Sequence, residues 1–175
     1  TGSDINDSKV IQNLKDKGAE ISKGHDAKNL TDADVLVYSS AVNEDNPEII
    51  AALEKNIPII RRAEMLGELI ALKETSIGVA GTHGKTSTSS MVGAMLSQAK
   101  LDPTLVVGGL VRNINTNSLL GEGDIIVVEA DEFDRSFLSL QPTIGIITNI
   151  ELEHTDCYED LYDLQNAFTQ FANAS

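Results

Sequence analysis

Short apolar runs alternate with amphipathic stretches along the whole chain. Residues 35–37 (Val-Leu-Val) and 125–128 (Ile-Ile-Val-Val) are apolar at every position, which is typical of parallel strands in a sheet covered on both faces. Strands are predicted at residues 19–22, 34–38, 57–60, 76–80, 104–107, 124–129 and 143–148. Because stretches of helical periodicity separate these strands, the sequence predicts an α/β fold with right-handed crossovers.

Helices are predicted where capping residues precede a helical spacing of apolar side chains. Ser8 can cap a helix that runs to about residue 17, and Gly18 suits the end of that helix. Asn46 and Pro47 fit the N-cap and the first position of a helix that runs to residue 55. Further helices are predicted at residues 63–72, 85–98 and 161–172, the last with a core-facing stripe of Leu161, Leu164, Phe168 and Phe171.

The length and composition fit one domain or two small ones, with an aliphatic core. The chain has 175 residues, of which 41% are hydrophobic and only 4% aromatic, so Ile, Val, Leu and Ala must form most of any core. Short lysine-containing units precede residues 73–75, and a phosphate-type motif follows them. We therefore expect one domain at residues 1–73 and a second at residues 74–175.

The formal net charge of −14 argues against nucleic acid and anionic membranes as partners, because both would be repelled. Cys157 is the single cysteine, so no disulfide can form within the chain. The sequence contains no run of 18 apolar residues and opens with no signal peptide, so we expect a soluble, cytoplasmic protein. Because the chain begins with Thr1 and not with Met, we also expect a part of a longer protein.

A glycine-rich turn follows the strand predicted at residues 76–80. Residues 78–86 are Gly-Val-Ala-Gly-Thr-His-Gly-Lys-Thr, and a helix is predicted from Lys85 onwards. Glycines let backbone N–H groups converge on phosphate oxygens, Lys85 can reach the outer phosphates, and the Thr86 hydroxyl can ligate Mg²⁺. The strict phosphate-loop pattern requires Gly where Val79 stands, so an ordinary glycine turn before a helix is the alternative.

Acidic and polar residues follow two later strands. Glu129, Asp131 and Glu132 end the apolar run at residues 125–128, where carboxylates can hold Mg²⁺ at the carboxyl edge of a sheet. A solvated acidic turn is the alternative. Residues 148–156 follow the next strand and contain His154 and Asp156, which can ligate or orient a metal ion. We expect Glu129 and His154 to come from neighbouring strand ends. The alternative for His154 is a purely structural role.

These motifs, in this order, resemble the central ATPase domain of Mur ligases. The matching segments are residues 80–86, 129–132 and 148–150 with His154 and Asp156, and Gly108-Gly109 and Thr116-Asn117 also match. Residues 39–41, 45–48 and 57–66 resemble the UDP-binding first domain, so the resemblance covers nearly the whole chain. It implies part of a Rossmann-like UDP-binding domain followed by part of a P-loop ATPase domain with a mainly parallel sheet.

Parts of the family pattern lie outside this sequence. The glycine-rich turn that should precede Thr1 is missing, and so is everything after Ser175, including a C-terminal domain that carries much of the amino-acid pocket. We therefore expect the chain to be catalytically inactive alone, with apolar residues such as Phe168 and Phe171 short of cover. No lysine follows His154, so the carbamylated lysine that some relatives use is not assigned here.

The His before Gly-Lys and the Glu-Ala-Asp-Glu segment resemble the branch of the family that adds L-alanine. That resemblance implies ligation of L-alanine to UDP-N-acetylmuramate through an acyl phosphate in peptidoglycan synthesis, with ATP and Mg²⁺. It implies catalytic roles for Lys85, Glu129 and His154, and a metal site formed by Thr86, Glu129 and His154. Nucleotide contacts are implied for Gly81, Thr82, His83, Gly84, Lys85, Thr86, Ser87 and Asn149, and substrate contacts for Ser39, Ser40 and Asp4.

The sequence leaves two alternative functions open, and it does not define the oligomeric state. One is a different amino-acid specificity within the same family, and the other is a P-loop nucleotide-binding module without ligase activity. A sugar-nucleotide site in the first 72 residues would separate a ligase from a simple module.

Overall fold

A computed structural model of the protein describes residues 1–111, 116–153 and 156–175. The chain divides into two compact units, Thr1–Arg62 and Ala63–Ser175. Leu66 and Ile70 pack into the core of the second unit, although they precede the predicted domain boundary at residues 73–74. That boundary stays a prediction. No helix of the described ranges is long and apolar enough to cross a membrane.

The first unit is built from two separate pairs of parallel strands. Its elements are β1 (Gly2–Asp4), α1 (Lys9–Asp16), β2 (Ile21–Lys23), a 3-10 turn (Ala27–Asn29), β3 (Leu36–Tyr38), α2 (Pro47–Glu54) and β4 (Ile59–Arg61). Strand β1 pairs with β2, and β3 pairs with β4. The predicted N-caps are confirmed: the Ser8 hydroxyl accepts from the Ile11 N–H, and the Asn46 amide oxygen accepts from the Glu48 N–H.

Strand β1 lies where the sequence predicted no strand. Its last residue is Asp4, one of the expected substrate contacts. Three residues with one apolar side chain among them carry no periodic signal, so this strand is defined by its pairing with β2.

The second unit is a five-stranded sheet flanked by helices. Its elements are α3 (Arg62–Ala71), β5 (Thr75–Ala80), α4 (Lys85–Gln98), β6 (Thr104–Val111), β7 (Thr116–Leu119), β8 (Ile125–Glu129), a 3-10 segment (Phe133–Ser139), β9 (Ile144–Ile147) and α5 (Leu161–Asn173). The strand order is β7-β6-β8-β5-β9, and only the β6–β7 pair among these ladders is antiparallel. The predicted α/β class with a mainly parallel sheet is confirmed.

Apolar side chains fill both faces of this sheet. On one face, Val79 and Val127 are fully buried and pack beneath α4, whose Val92 and Leu96 touch the same cluster. Continuous apolar strands therefore occur where both faces are covered, as the sequence pattern predicted.

The opposite face holds the buried aromatic residues of the second unit. Phe168 and Phe171 are buried, and their ring centroids lie 5.2 and 5.4 Å from that of Phe137. The expectation that these two residues lack cover is wrong, because the 3-10 segment supplies Phe137. The predicted stripe on α5 is confirmed for Leu164 but not for Leu161, which opens the helix and is 42% exposed.

Candidate functional site

The loop between β5 and α4 requires glycine at two positions. Gly81 has φ 131°, and a Cβ at this position would overlap the Thr148 hydroxyl. Gly84 has φ 81° in the left-handed region and is the N-cap of α4, which begins at Lys85. The glycines thus let the chain leave a buried strand, pass close to the neighbouring strand end, and start a helix within four residues.

Side chains that follow β9 hold the backbone of this loop in place. The Asn149 side chain accepts a hydrogen bond from the His83 N–H at 2.9 Å and donates one to the His83 carbonyl at 3.0 Å. The Thr148 hydroxyl donates to the same carbonyl at 2.6 Å. The Thr82 hydroxyl donates to the Glu151 carbonyl and accepts from the Glu151 N–H, so its side chain is used in holding the loop.

Lys85 lies at the base of the loop with its ammonium group surrounded by acceptors. Its Nζ donates to the Gly81 carbonyl at 2.7 Å, the Thr82 carbonyl at 3.2 Å and the Glu132 carboxylate at 2.7 Å. The side chains of Lys85 and Glu132 are 13% and 2% exposed, so this ion pair is largely removed from water. Among the contacts at the site, this one joins the loop to the segment after β8.

Thr86, the residue after Lys85 in α4, meets Glu129. The Thr86 hydroxyl lies 3.0 and 2.9 Å from the two Glu129 carboxylate oxygens, and the Gly108 N–H donates to the same carboxylate at 2.8 Å. A Cβ on Gly109 would lie 3.2 Å from the Thr86 methyl group, so the glycine pair of β6 allows this close approach. An open cavity of about 370 Å³ lies above these groups, lined by Thr82, His83, Gly84, Lys85, Thr86, Ser87 and Glu129.

Known proteins share this arrangement of sequence and fold. The Mur ligase middle domain matches residues 79–175, which is more than half of the chain, and residues 1–74 match the segment described as the Mur ligase family, catalytic domain. The chain belongs to the Mur ligase family. The resemblance drawn from the sequence motifs is therefore confirmed.

Two curated relatives of this Mur ligase chain have the same name. The UDP-N-acetylmuramate–L-alanine ligases of Myxococcus xanthus and Aquifex aeolicus are 54% and 52% identical to it, each over 99% of the chain. The chain spans 36% and 38% of the lengths of these two proteins.

Solved Mur ligase structures share the fold. The crystal structure of the UDP-N-acetylmuramate-alanine ligase of Thermotoga maritima has a TM-score of 0.89 at 31% identity and matches 99% of the chain and 41% of its own. A UDP-N-acetylmuramate:L-alanyl-gamma-D-glutamyl-meso-diaminopimelate ligase from Neisseria meningitides has a TM-score of 0.87 at 28% identity, over 99% of the chain and 59% of its own.

Part of the metal site predicted for this Mur ligase chain can be compared with the structure. Mg²⁺ binds oxygen ligands at about 2.0–2.1 Å in an octahedron, so neighbouring ligand oxygens are about 2.9 Å apart. The oxygens of Thr86 and Glu129 have this spacing, which is equally that of the hydrogen bond between them, and both residues line the cavity, so their oxygen donors suit the ion. Within residues 1–111, 116–153 and 156–175, no group of three or more His, Cys, Asp or Glu side chains is arranged to hold a metal ion.

His154, the third predicted ligand, lies outside the described residues. We had also expected Glu129 and His154 to follow neighbouring strands. That expectation is wrong, because β5 lies between β8 and β9 in the sheet. Glu129 therefore reaches the loop from one side of β5, and Thr148 and Asn149 reach it from the other.

The predicted substrate-binding residues lie at strand ends of the first unit. Asp4 ends β1, where its carboxylate accepts from the Asn6 N–H at 2.8 Å. Ser39 and Ser40 follow β3, and the Ser39 hydroxyl accepts from the Ala41 N–H at 3.2 Å. Asp4 and the two serines follow strands of different sheets, and their role in substrate binding stays a prediction.

A buried carboxylate in the first unit was missed by the sequence analysis. Glu48 accepts hydrogen bonds from the Ser3 hydroxyl at 2.6 Å and the Asn29 amide at 2.7 Å, and the His25 ring nitrogen lies 3.3 Å away. Burial acts to raise the pKa of Glu48, but the hydrogen bonds from Ser3 and Asn29 outweigh it and hold the pKa below its ordinary value. These partners are 19 to 45 positions away, so no local pattern signals them.

Three residues of the phosphate loop's surroundings were also missed as site residues. Glu132, Gly108 and Thr148 were noted as parts of segments that match the family, and none of the three was given a role at the site. The paired glycines at 108 and 109 inside an apolar strand were a usable signal, because such glycines mark a close approach by another group.

Proposed function

We propose that this chain supplies the sugar-nucleotide-binding and ATP-binding parts of a ligase that joins L-alanine to UDP-N-acetylmuramate. The observation that carries the proposal is the meeting of Thr86 and Glu129 beside the Lys85 loop, at the cavity between strand ends. The curated relatives named for this reaction, 52–54% identical across nearly the whole chain, support the choice of substrates.

The ATP site is proposed along the loop from Gly81 to Ser87. The residues at the start of α4 line the cavity, and the N–H groups and dipole of a helix N-terminus favour phosphates there. Thr86 and Glu129 would hold Mg²⁺, with His154 at a second position, and the ion would neutralise charge on the phosphate oxygens. Asn149 contributes by fixing the loop backbone at His83.

The proposed reaction activates a carboxylate before an amide forms. The carboxylate of UDP-N-acetylmuramate takes the γ-phosphoryl group of ATP, which gives ADP and an acyl phosphate. The amine of L-alanine then attacks the acyl carbon, and phosphate leaves with the electron pair of the broken C–O bond. Because charge spreads over the transferring group, the chain's role is to position it and to place Lys85 and loop N–H groups against it.

The first unit is proposed to hold the uridine diphosphate through Ser39, Ser40 and Asp4. Strand ends of parallel sheets are the usual location for nucleotide contacts, and these three residues lie at such ends. We place the reaction in the cytoplasm, without nucleic acid or membrane partners, in keeping with the net charge of −14.

Phosphate release by the full-length protein tests this function. ATP, Mg²⁺ and UDP-N-acetylmuramate are supplied with each amino acid in turn, and the product is identified by mass spectrometry. We expect release that depends on both the sugar nucleotide and L-alanine. ATP hydrolysis that does not depend on the sugar nucleotide would instead identify a P-loop module without ligase activity.

A second specificity within the family is supported by one comparison. The Neisseria ligase that is named for a tripeptide has a TM-score of 0.87, close to the 0.89 of the alanine ligase. The same assay with L-alanyl-γ-D-glutamyl-meso-diaminopimelate as the amine separates the two. Release with the tripeptide and none with L-alanine would establish the second specificity.

A further inference from the structure

The Lys85 ammonium has three N–H donors and three acceptors within hydrogen-bonding distance. Two acceptors, the carbonyls of Gly81 and Thr82, belong to the phosphate loop itself. The third is the Glu132 carboxylate, which lies 47 positions later in the chain. A phosphate that binds Lys85 must therefore replace at least one of these contacts.

Glu132 is held in place by the segment that follows it. Its carbonyl accepts a hydrogen bond from the Tyr158 hydroxyl at 2.6 Å and another from the Arg135 N–H at 3.1 Å. The Arg135 guanidinium lies 4.8 Å from the centre of the Tyr158 ring and pairs with Asp163 at the start of α5. Burial raises the pKa of Tyr158 to about 12, so its hydroxyl remains a donor at neutral pH.

We propose that Glu132 is the positioning residue for Lys85, which it keeps fixed on one side while a nucleotide phosphate replaces a loop carbonyl on the other. The proposal rests on the nucleotide-binding function proposed above. It assigns Glu132 a role distinct from that of Glu129, which contacts Thr86 and not the lysine.

The strengths of the three contacts decide which one gives way. Glu132 is 2% exposed, so breaking its ion pair would take a positively charged partner away from a carboxylate that lies out of water. The Thr82 carbonyl is neutral and, at 3.2 Å, is the most distant of the three acceptors. A charged phosphate oxygen forms a stronger hydrogen bond than this carbonyl, so the exchange occurs there and the ion pair with Glu132 persists.

The substitution Glu132→Gln in the full-length protein tests the proposal without nucleotide. Acylation of Lys85 by an amine-reactive ester is measured by peptide mass spectrometry and divided by that of Lys100, which is exposed in the same unit. We expect the ratio to rise about fivefold or more, because the lysine loses a charged partner. Asp134→Asn is the matched control: Asp134 is an exposed acid in the same segment, and Asn tolerates its φ of 51°.

Nucleotide binding is measured in the same variants by calorimetry with ATP and Mg²⁺. We expect Glu132→Gln to weaken ATP binding about tenfold, and Asp134→Asn to leave it unchanged. Tighter ATP binding in Glu132→Gln would overturn the proposal, since Glu132 would then compete with phosphate for Lys85. An unchanged acylation ratio would overturn it as well.

A second variant covers the case in which Glu132→Gln does not fold. Tyr158→Phe removes the hydroxyl that holds the Glu132 carbonyl but keeps the buried ring. We expect the same direction of change in both measurements, with a smaller size, and no change in either would overturn the proposal. If the wild-type protein bound no ATP while the acylation ratios behaved as expected, the nucleotide-binding function would fail and the Glu132–Lys85 relationship would stand.

Discussion

The Asn149 side chain binds both the N–H and the carbonyl of His83, so the phosphate loop after β5 is fixed to the end of β9. Two hydrogen bonds to one amide group define both the position and the orientation of the His83 backbone, because they reach the peptide units on either side of it. The loop is thus held from outside, whereas its glycines only permit the conformation.

Asn149→Ala should loosen this loop without unfolding the protein. Loss of two hydrogen bonds of about 1 kcal/mol each predicts ATP binding weakened on the order of tenfold, with a fall of a few degrees in Tm. Calorimetry with ATP and thermal unfolding measure the two effects. Asn173→Ala makes the same chemical change at an exposed position in α5 and should change neither. Unaltered ATP binding in Asn149→Ala would show that the loop keeps its shape unaided.

Lys85→Ala should abolish turnover and also destabilise the protein. The activity falls because the outer phosphates lose their cation, and Lys85→Arg should not restore it, since the loop fits a compact ammonium. Removing one partner of a largely buried pair costs about 3–5 kcal/mol, because the Glu132 charge stays behind.

The double variant Lys85→Ala with Glu132→Gln separates the two effects. It should regain much of the lost Tm and none of the activity. Lys9→Ala, an exposed lysine at the start of α1, serves as the control and should behave like the wild type. Near-normal activity in Lys85→Ala would exclude a role in phosphate binding.

Glu129→Gln should raise the Mg²⁺ concentration needed for half-maximal activity and lower kcat by roughly 100-fold, as expected when one preorganised charged group is lost. His154→Ala is predicted to act in the same direction. Glu122→Gln removes an exposed carboxylate just before β8 and should leave the Mg²⁺ dependence as it is. A Mg²⁺ titration of the full-length protein is the measurement, and an unshifted curve for Glu129→Gln would remove Glu129 from the metal site.

Glu48 should make the first unit sensitive to acid. Its pKa is lowered in the folded protein from an ordinary value of 4.5, so the folded state binds a proton less readily than the unfolded state. Its contribution to stability is complete above about pH 4.5 and is lost as the pH falls through the lower folded pKa.

Chemical unfolding of the wild type and Glu48→Gln between about pH 3 and pH 7 measures this contribution. That range extends both below and above the ordinary pKa of a carboxyl group. We expect the stability difference between the two proteins to shrink as the pH falls. Glu54→Gln changes an exposed carboxylate on the same helix and should follow the wild type at every pH. A constant difference for Glu48→Gln would mean that Glu48 does not titrate differently in the two states.

Features that depend on local sequence patterns, such as helix bounds and N-caps, could be predicted from the sequence. The helix at residues 85–98 has the predicted bounds, because Gly84 sets its start, and the caps Ser8 and Asn46 act as expected. The 3-10 segment was not predicted, since Asp134 and Arg135 adopt left-handed φ values of 51° and 60° that tertiary contacts impose.

For the site, the long separation between partners along the chain limited which contacts could be predicted from the sequence. The closeness of Thr86 and Glu129 was implied by the family resemblance, which assigns both residues to one metal site. The Lys85–Glu132 pair was not, because the carboxylates at 129, 131 and 132 look alike in the sequence and differ only in the direction that the turn after β8 gives them.

The contacts that shape the phosphate loop also determine when it can form during synthesis. His83 depends on Asn149, 66 positions later, and Thr82 depends on Glu151, 69 positions later. Contacts of such long range form late in folding, since a large part of the chain must be ordered before they contribute. In a nascent chain that has emerged from the ribosome only as far as α4, the glycine motif is therefore exposed and its loop is not yet fixed. The nucleotide that we propose for this loop would therefore stabilise the unit only after β9 has paired with β5, and would not act as an early folding template.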